Sequence, residues 1–268
     1  MKKSLKIGII QTDNRLNCNV KSAVGKANLL LNNIKVDLLV APELAFTGYA
    51  YRSPAAIEPY LEPTCAGPTT EWAKRVALSH SCHVIVGYPE RADEKRTYNS
   101  AVVVDPAGTI IAHHRKHFLF SADEVWGASE GPSFTSFKFN LRGNQFKVAL
   151  GICMDINPYK FKAPFEAYEF ANFALRERAD LVVVPMAWTA STLVPGKPEL
   201  ETTIRYWISR MGPLNGTNSV LVAASRAGIE GNTVYAGSSC VVKLDKPLNI
   251  IGMLPKSVEY PLIVDVEI

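Results

Sequence analysis

Three side chains that could carry out covalent chemistry stand at the ends of apolar runs. Glu43 follows the apolar residues 38–42, Cys153 follows the run that begins at Val148, and Lys116 follows a third run. A carboxylate, an ammonium and a thiol can supply a base, an oxyanion stabiliser and a nucleophile. These residue types at strand ends therefore predict an enzyme that attacks amide bonds through its cysteine.

Each of the three also has a structural interpretation. A lone cysteine in an apolar run is usually a small hydrophobic side chain. Glu43 could form an ion pair or cap the turn at 45–48, and Lys116 could belong to a solvated basic edge. Two observations favour chemistry. The small Gly151 leaves room near the cysteine, and a buried strand-end carboxylate costs free energy unless it is paired or has a function.

Strands and helices alternate along the chain, and they must position these side chains. Several continuous Val, Ile and Leu runs predict strands that are covered on both faces. Two similar β-rich halves predict two sheets packed face to face between layers of helices. The predicted strands are 6–12, 36–43, 83–90, 100–105, 109–114, 146–154, 180–188, 220–225, 238–244, 250–254 and 262–266, and the predicted helices are 20–33, 68–81, 164–178 and 198–211.

Composition limits the classes of protein that this chain could represent. With 268 residues, 47% hydrophobic and 20% charged, it is predicted to form one globular domain over residues 1–268. The formal net charge of +4 is spread along the chain, which argues against a nucleic-acid partner. No apolar run approaches the roughly 20 residues that span a bilayer, so no membrane partner is expected.

The five cysteines are scattered and form no Cys-x-x-Cys pair, so neither a zinc site nor a disulfide framework is indicated. Reduced thiols and a start that does not resemble a signal peptide predict a cytoplasmic protein. His113, His114 and His117 cluster beside Lys116, but their spacing matches no zinc motif and predicts an exposed basic strand end. No metal or other cofactor is expected.

Three segments carry a resemblance to a known family. Glu43 in APELAFTGY, Lys116 in HHRKHFLF and Cys153 in GICMDINPYKF resemble the Glu-Lys-Cys triad of the nitrilase (carbon–nitrogen hydrolase) superfamily. The resemblance implies an α/β fold, a four-layer αββα sandwich, with these three residues as its catalytic triad. It also implies a second glutamate after the lysine, which matches Glu124 and would orient the lysine.

Longer segments narrow the resemblance within the superfamily. KHFLFSADEVWGASEGPSF, GICMDINPYKFKAPFEAYEFANFAL and VVVPMAW resemble the fungal protein N-terminal amidases. This resemblance implies deamidation of an N-terminal Asn or Gln to Asp or Glu, with release of ammonia through a cysteine thioester and entry of the product into the N-degron pathway. The substrate would be the N-terminus of a peptide or protein.

Such an enzyme must bind a free α-ammonium, and an acidic side chain would do so by charge-assisted hydrogen bonding. The candidates are Asp155, Asp123 and Glu130, each of which could instead cap a turn. Further residues that could wall the pocket, or could simply pack, are Trp126, Tyr159 and Trp188.

Two other functions stay open on the sequence. One is a nitrilase-type amidase for a small-molecule amide, which would need a closed pit rather than an open cleft. The other is a non-catalytic binding protein with the same fold, which the intact Glu43, Lys116 and Cys153 disfavour. A homodimer through the helix near 165–178 is a further expectation, because Phe165, Phe170 and Phe173 could pack either on a partner or on the sheet.

Overall fold

Two β-sheets form the centre of the molecule. The computed structural model describes residues 3–14, 18–190 and 199–268, except for the side chains of 199–201. The strands are β1 Ser4–Gln11, β2 Leu38–Val40, β3 Glu62–Pro63, β4 His83–Arg91, β5 Thr97–Val104, β6 Ile110–Arg115, β7 Thr135–Leu141, β8 Asn144–Leu150, β9 Leu181–Met186, β10 Val220–Ser225, β11 Ile229–Glu230, β12 Thr233–Val234, β13 Cys240–Lys243, β14 Asn249–Met253 and β15 Tyr260–Glu267. The α-helices are α1 Val20–Leu30, α2 Pro54–Ile57, α3 Pro68–His80, α4 Ser121–Val125, α5 Glu169–Arg176 and α6 Glu199–Arg210.

Each large sheet contains parallel strands whose carboxyl ends share one edge. The first sheet has the order β15-β1-β2-β4-β5-β6 with β3 beside β4, and the second has the order β14-β13-β10-β9-β8-β7. Strands β1, β2 and β4 are parallel, as are β8, β9 and β10. Strand β6 runs in the same direction as β4, because each pairs antiparallel with β5. Residues that follow β2, β6, β8 and β9 can therefore converge.

Alternating side chains of the first sheet face two different cores. Ile7, Val40 and Ile85 pack in one core with residues of the second sheet such as Val148 and Val183. Their neighbours face the opposite way and pack against α1 and α3 in a second core, which includes Leu39, Val84, Val102, Ala23, Ala27, Trp72 and Ala73. This division follows from the two-residue period of a strand.

Helices α5 and α6 pack with the second sheet. Phe170 and Ala174 of α5 and Trp207 of α6 are buried in the core that contains this sheet. The order of layers is thus α1 and α3, first sheet, second sheet, α5 and α6. The predicted αββα sandwich is confirmed.

Several predicted element bounds differ from the structure. The helix predicted from 164 begins only at Glu169, because Tyr168 has a left-handed backbone with φ 45°. Strand β7 was not predicted, although its buried Phe137 and Phe139 alternate with exposed polar residues. Residue 198, where the last helix was predicted to begin, lies outside the described residues.

Candidate active site

Glu43, Lys116 and Cys153 follow strands β2, β6 and β8 at the shared edge of the two sheets. Gly87 of β4 allows the backbone at Glu43 to come close. A Cβ at position 87 would lie only 2.7 Å from the Glu43 Cα. Any side chain at position 87 would therefore displace the backbone that carries the carboxylate.

Lys116 lies at the centre of a fully buried hydrogen-bond network. Its Nζ donates to Glu43 Oε1 at 2.6 Å and to Asp123 Oδ2 at 2.6 Å, and it lies 3.4 Å from the Tyr49 hydroxyl. Asn99 Nδ2 donates to the same two carboxylates, to Glu43 at 2.6 Å and to Asp123 at 2.9 Å. Charged groups in such surroundings persist only when they are paired and hydrogen-bonded, as these are.

The carboxylate that orients the lysine belongs to Asp123 and not to Glu124, which corrects the sequence assignment. Asp123 is fully buried and also accepts from the backbone N–H of Phe120 at 3.0 Å, whereas Glu124 is exposed. Asp123 is consequently unavailable to a substrate ammonium, and its predicted role in substrate binding is wrong.

Cys153 joins this network through the backbone that follows β9. The Ala187 N–H donates to Glu43 Oε2 at 2.6 Å and also interacts with the Cys153 sulfur. Cys153 has a left-handed backbone with φ 41°, which is unusual for a residue with a side chain, and its exposed fraction is 7%. Backbone strain of this kind is concentrated at functional sites.

Burial and the neighbouring charges together shift the pKa values of the three groups. Burial raises the pKa of Glu43, and the nearby Asp123 charge raises it further against the opposing effect of Lys116. Burial and the Glu43 charge raise the pKa of the Cys153 thiol well above its usual value. Burial alone would lower the pKa of Lys116, but the Asp123 and Glu43 charges outweigh it and raise the pKa. A protonated lysine therefore lies beside a neutral thiol that needs a base.

Asp155 has the structural role that the sequence left open as an alternative, because it caps the turn at Cys153. Its Oδ1 accepts from the backbone N–H groups of His117 and Phe118, and its Oδ2 accepts from that of Ile152. His114 Nε2 lies 2.9 Å from Oδ2, and both side chains are fully buried. Asp155 thus ties the turn of Cys153 to the segment of Lys116, and its predicted contact with a substrate ammonium is corrected. The expected exposed histidine cluster is also wrong for His114.

A cavity of about 110 Å³ opens beside Cys153. Trp188, which the sequence left open as either a wall of the pocket or a packing residue, lines this cavity and also packs against Tyr206 and Trp207. The remaining lining residues are Phe120, Cys153, Met154, Asn157, Phe161, Ala187 and Thr189. Among the residues that the structure describes, no acidic side chain lines this cavity.

The other predicted wall residues lie elsewhere. Trp126 is buried and packs with Tyr51 and Ile57 in a separate cluster, which corrects its predicted role at the pocket. Tyr159 donates its hydroxyl to Glu130 at 2.8 Å, and neither residue lines the cavity. Of the three acids predicted to bind the substrate ammonium, Glu130 alone keeps solvent access, with a side chain 37% exposed.

Sequence reasoning missed Asn99, Tyr49, Asn157 and Phe161 at this site. Asn99 lies in a strand, far along the chain from Glu43, and only the strand pairing brings the two together. Asn157 offered a signal, because it is an uncharged polar residue only four positions after the cysteine.

In the part of the chain that the structure describes, no cluster of three or more His, Cys, Asp or Glu side chains could hold a metal ion. The described helices include none with the length and apolar character needed to cross a membrane.

Comparison with known proteins shows that the chain belongs to the carbon–nitrogen hydrolase family, whose model matches residues 6–266. The protein N-terminal amidase of Schizosaccharomyces pombe is 33% identical over 250 residues, which cover 85% of this chain and 86% of that protein. The protein N-terminal amidase of Saccharomyces cerevisiae is 35% identical over 218 residues, which cover 74% of this chain but 48% of that protein. The chain thus spans about half the length of the latter relative.

A solved structure of an N-terminal amidase with an Asn-Glu-Ala peptide superposes with a TM-score of 0.91 and 24% identity, covering 99% of this chain and 98% of that chain. The resemblance to the carbon–nitrogen hydrolases and their N-terminal amidases is therefore confirmed.

Proposed function

We propose that this protein is a cysteine amidohydrolase that deamidates the side chain of Asn or Gln at the N-terminus of a peptide or protein. The observation that carries the proposal is the convergence of Glu43, Lys116 and Cys153 in one buried cluster, of which Cys153 lines the cavity. The two relatives named for this activity support the choice of substrate.

The first half of the reaction forms a thioester. Glu43 accepts the thiol proton, and the Cys153 sulfur attacks the carbonyl carbon of the substrate side-chain amide. Two of the three Lys116 N–H groups are held by Glu43 and Asp123, and the third makes a long contact of 3.4 Å with the Tyr49 hydroxyl. This third N–H exchanges the hydroxyl for the oxyanion, which the Met154 N–H also stabilises. Glu43 then protonates the amide nitrogen, the C–N bond breaks, and ammonia leaves.

The second half of the reaction restores the enzyme. Glu43 accepts a proton from water, and the resulting hydroxide attacks the thioester carbonyl in the same oxyanion site. The C–S bond breaks, the sulfur regains its proton from Glu43, and an N-terminal Asp or Glu is released. Covalent catalysis of this kind replaces one difficult step by two easier ones.

We further propose a cytoplasmic location, since Cys65, Cys82, Cys153 and Cys240 are free thiols, and delivery of the product to the N-degron pathway. The whole chain would act as one carbon–nitrogen hydrolase domain. A homodimer would use the face around α5, where Phe165 is 38% and Leu175 is 41% exposed, whereas Phe170 is buried within the protomer.

The test is ammonia release from peptides that begin with Asn, Gln, Asp or acetyl-Asn. We expect release from the first two only, and a loss of at least about 1,000-fold with Cys153→Ala. Equal rates on the Asn and acetyl-Asn peptides would show that the enzyme does not recognise the free α-ammonium. Turnover of small amides alone would favour the metabolite amidase, and no turnover of any amide would favour a binding protein.

A further inference from the structure

Asn157 lies at the cavity with one half of its amide already bound. Its Oδ1 accepts a hydrogen bond from the Tyr206 hydroxyl at 2.6 Å. Tyr206 belongs to α6, and its ring packs against Trp188, with the ring centroids 5.6 Å apart. With Oδ1 accepting from Tyr206, the Nδ2 end of the amide faces away from the hydroxyl.

The other end of the amide is available for a ligand. Asn157 is buried with 2% of its surface exposed, and it lines the same cavity as Cys153. Within the described ranges Nδ2 has no hydrogen-bond partner. The atom is not fully buried, so it keeps some accessible surface. Its remaining surface therefore faces the cavity, where two N–H groups can donate to a substrate.

We propose that Asn157 is a specificity-determining residue that donates a hydrogen bond to the main-chain carbonyl oxygen of the substrate's first residue. This inference rests on the proposed N-terminal amidase activity. An N-terminal Asn offers three polar groups: an α-ammonium, a side-chain amide and the main-chain carbonyl. The ammonium can only donate, and the side-chain oxygen must enter the oxyanion site near Lys116. The main-chain carbonyl is the acceptor that remains for Nδ2.

The consequence is selectivity for peptides over small amides. A site built to hydrogen-bond a polar substrate group rejects an analogue that lacks it, because its own polar group is then left unpaired. β-Alaninamide supplies the matched probe. It retains the amine and the reacting carboxamide of Asn but has no main-chain carbonyl.

The test compares Asn157→Ala with the intact enzyme on an Asn-Gly peptide and on β-alaninamide. For the variant we expect kcat/KM to fall by about 3- to 30-fold on the peptide and to stay within about twofold on β-alaninamide. Tyr206→Phe keeps the ring and removes only the orienting hydroxyl. It should give a smaller loss on the peptide and none on β-alaninamide.

The rate at which iodoacetamide alkylates Cys153 measures the reactivity of the thiol independently of either substrate. This rate serves as the control in place of β-alaninamide if turnover of that amide is too slow to measure. The alkylation rate should be unchanged in both variants. Equal losses on peptide and β-alaninamide, or slower alkylation together with the peptide loss, would overturn the inference. An unchanged peptide rate in Asn157→Ala would do the same. If the intact enzyme released no ammonia from any Asn peptide, the proposed function itself would fail.

Discussion

At the scale of single residues, the site depends on how the donors of Lys116 are shared. Two carboxylates compete for one ammonium in a region from which water is excluded. Asp123 keeps the lysine charged, and its own charge raises the pKa of the neighbouring Glu43. One side chain thus positions the oxyanion donor and strengthens the base.

Replacing Asp123 by Asn should show both effects. We expect kcat/KM to fall by about 10- to 100-fold, less than the roughly 100- to 1,000-fold cost of losing an oxyanion donor. The acid limb of its pH profile reports the pKa of the free enzyme's base. That limb should move to lower pH, because removing a like charge lowers the pKa of Glu43.

Glu124→Gln is the matched control, since it neutralises an exposed carboxylate one position further along the chain. Its activity should stay within about twofold of the intact enzyme at every pH. A loss equal to that of Asp123→Asn, or an acid limb that does not move in Asp123→Asn, would contradict the role given to Asp123.

At the scale of elements, the choice between Asp123 and Glu124 shows where sequence reasoning stops. Both acids lie on the short helix α4, and adjacent helical positions differ by about 100° around the axis. A motif match does not fix which of them faces inward. The orientation is set by the ion pair with Lys116 and by the capping box at the start of the helix, in which Asp123 accepts from the Phe120 N–H.

The strand ends were easier to predict. An apolar run that stops at a charged residue is a local pattern, and it placed Glu43 and Cys153 after β2 and β8. Residues that support them do not follow local patterns, because Asn99 and Asp155 reach their partners across strands and loops. The sequence therefore predicted the sandwich and the positions of three key residues, but not the buried contacts that orient them.

At the scale of the whole molecule, loops from both sheets are joined around the site. Arg226 follows β10 of the second sheet. Its Nη2 donates to the carbonyl oxygens of Asn14 and Thr47, which follow β1 and β2 of the first sheet. Glu230 accepts from the backbone N–H groups of Tyr49 and Ala50. The alignment of the reactive groups therefore depends on the packing of one sheet against the other.

A second buried carboxylate, Glu90, stabilises the first sheet and makes stability depend on pH. Burial alone would raise its pKa, but hydrogen bonds from His113, Arg115, Ser100 and Thr64 outweigh this and hold it well below the usual range. A carboxyl with a depressed pKa in the folded state contributes stability above its unfolded pKa, near 4.5, and loses that contribution as the pH falls.

Glu90→Gln should therefore be less stable than the intact protein at pH 7 by about 1.5–3 kcal/mol, since it removes a hydrogen-bonded charge beside Arg115. The difference should shrink as the pH falls below 4.5. Denaturant unfolding at several pH values measures both quantities. A difference that stays constant down to pH 3 would contradict this role for the carboxylate.

The most direct test of Cys153 as the nucleophile is the mass of the enzyme quenched in acid during turnover of an Asn-initiated peptide. We expect an adduct on residue 153 that equals the peptide minus ammonia and that hydroxylamine removes, as a thioester requires. An unmodified Cys153 during turnover, together with ammonia release by Cys153→Ala, would contradict the mechanism.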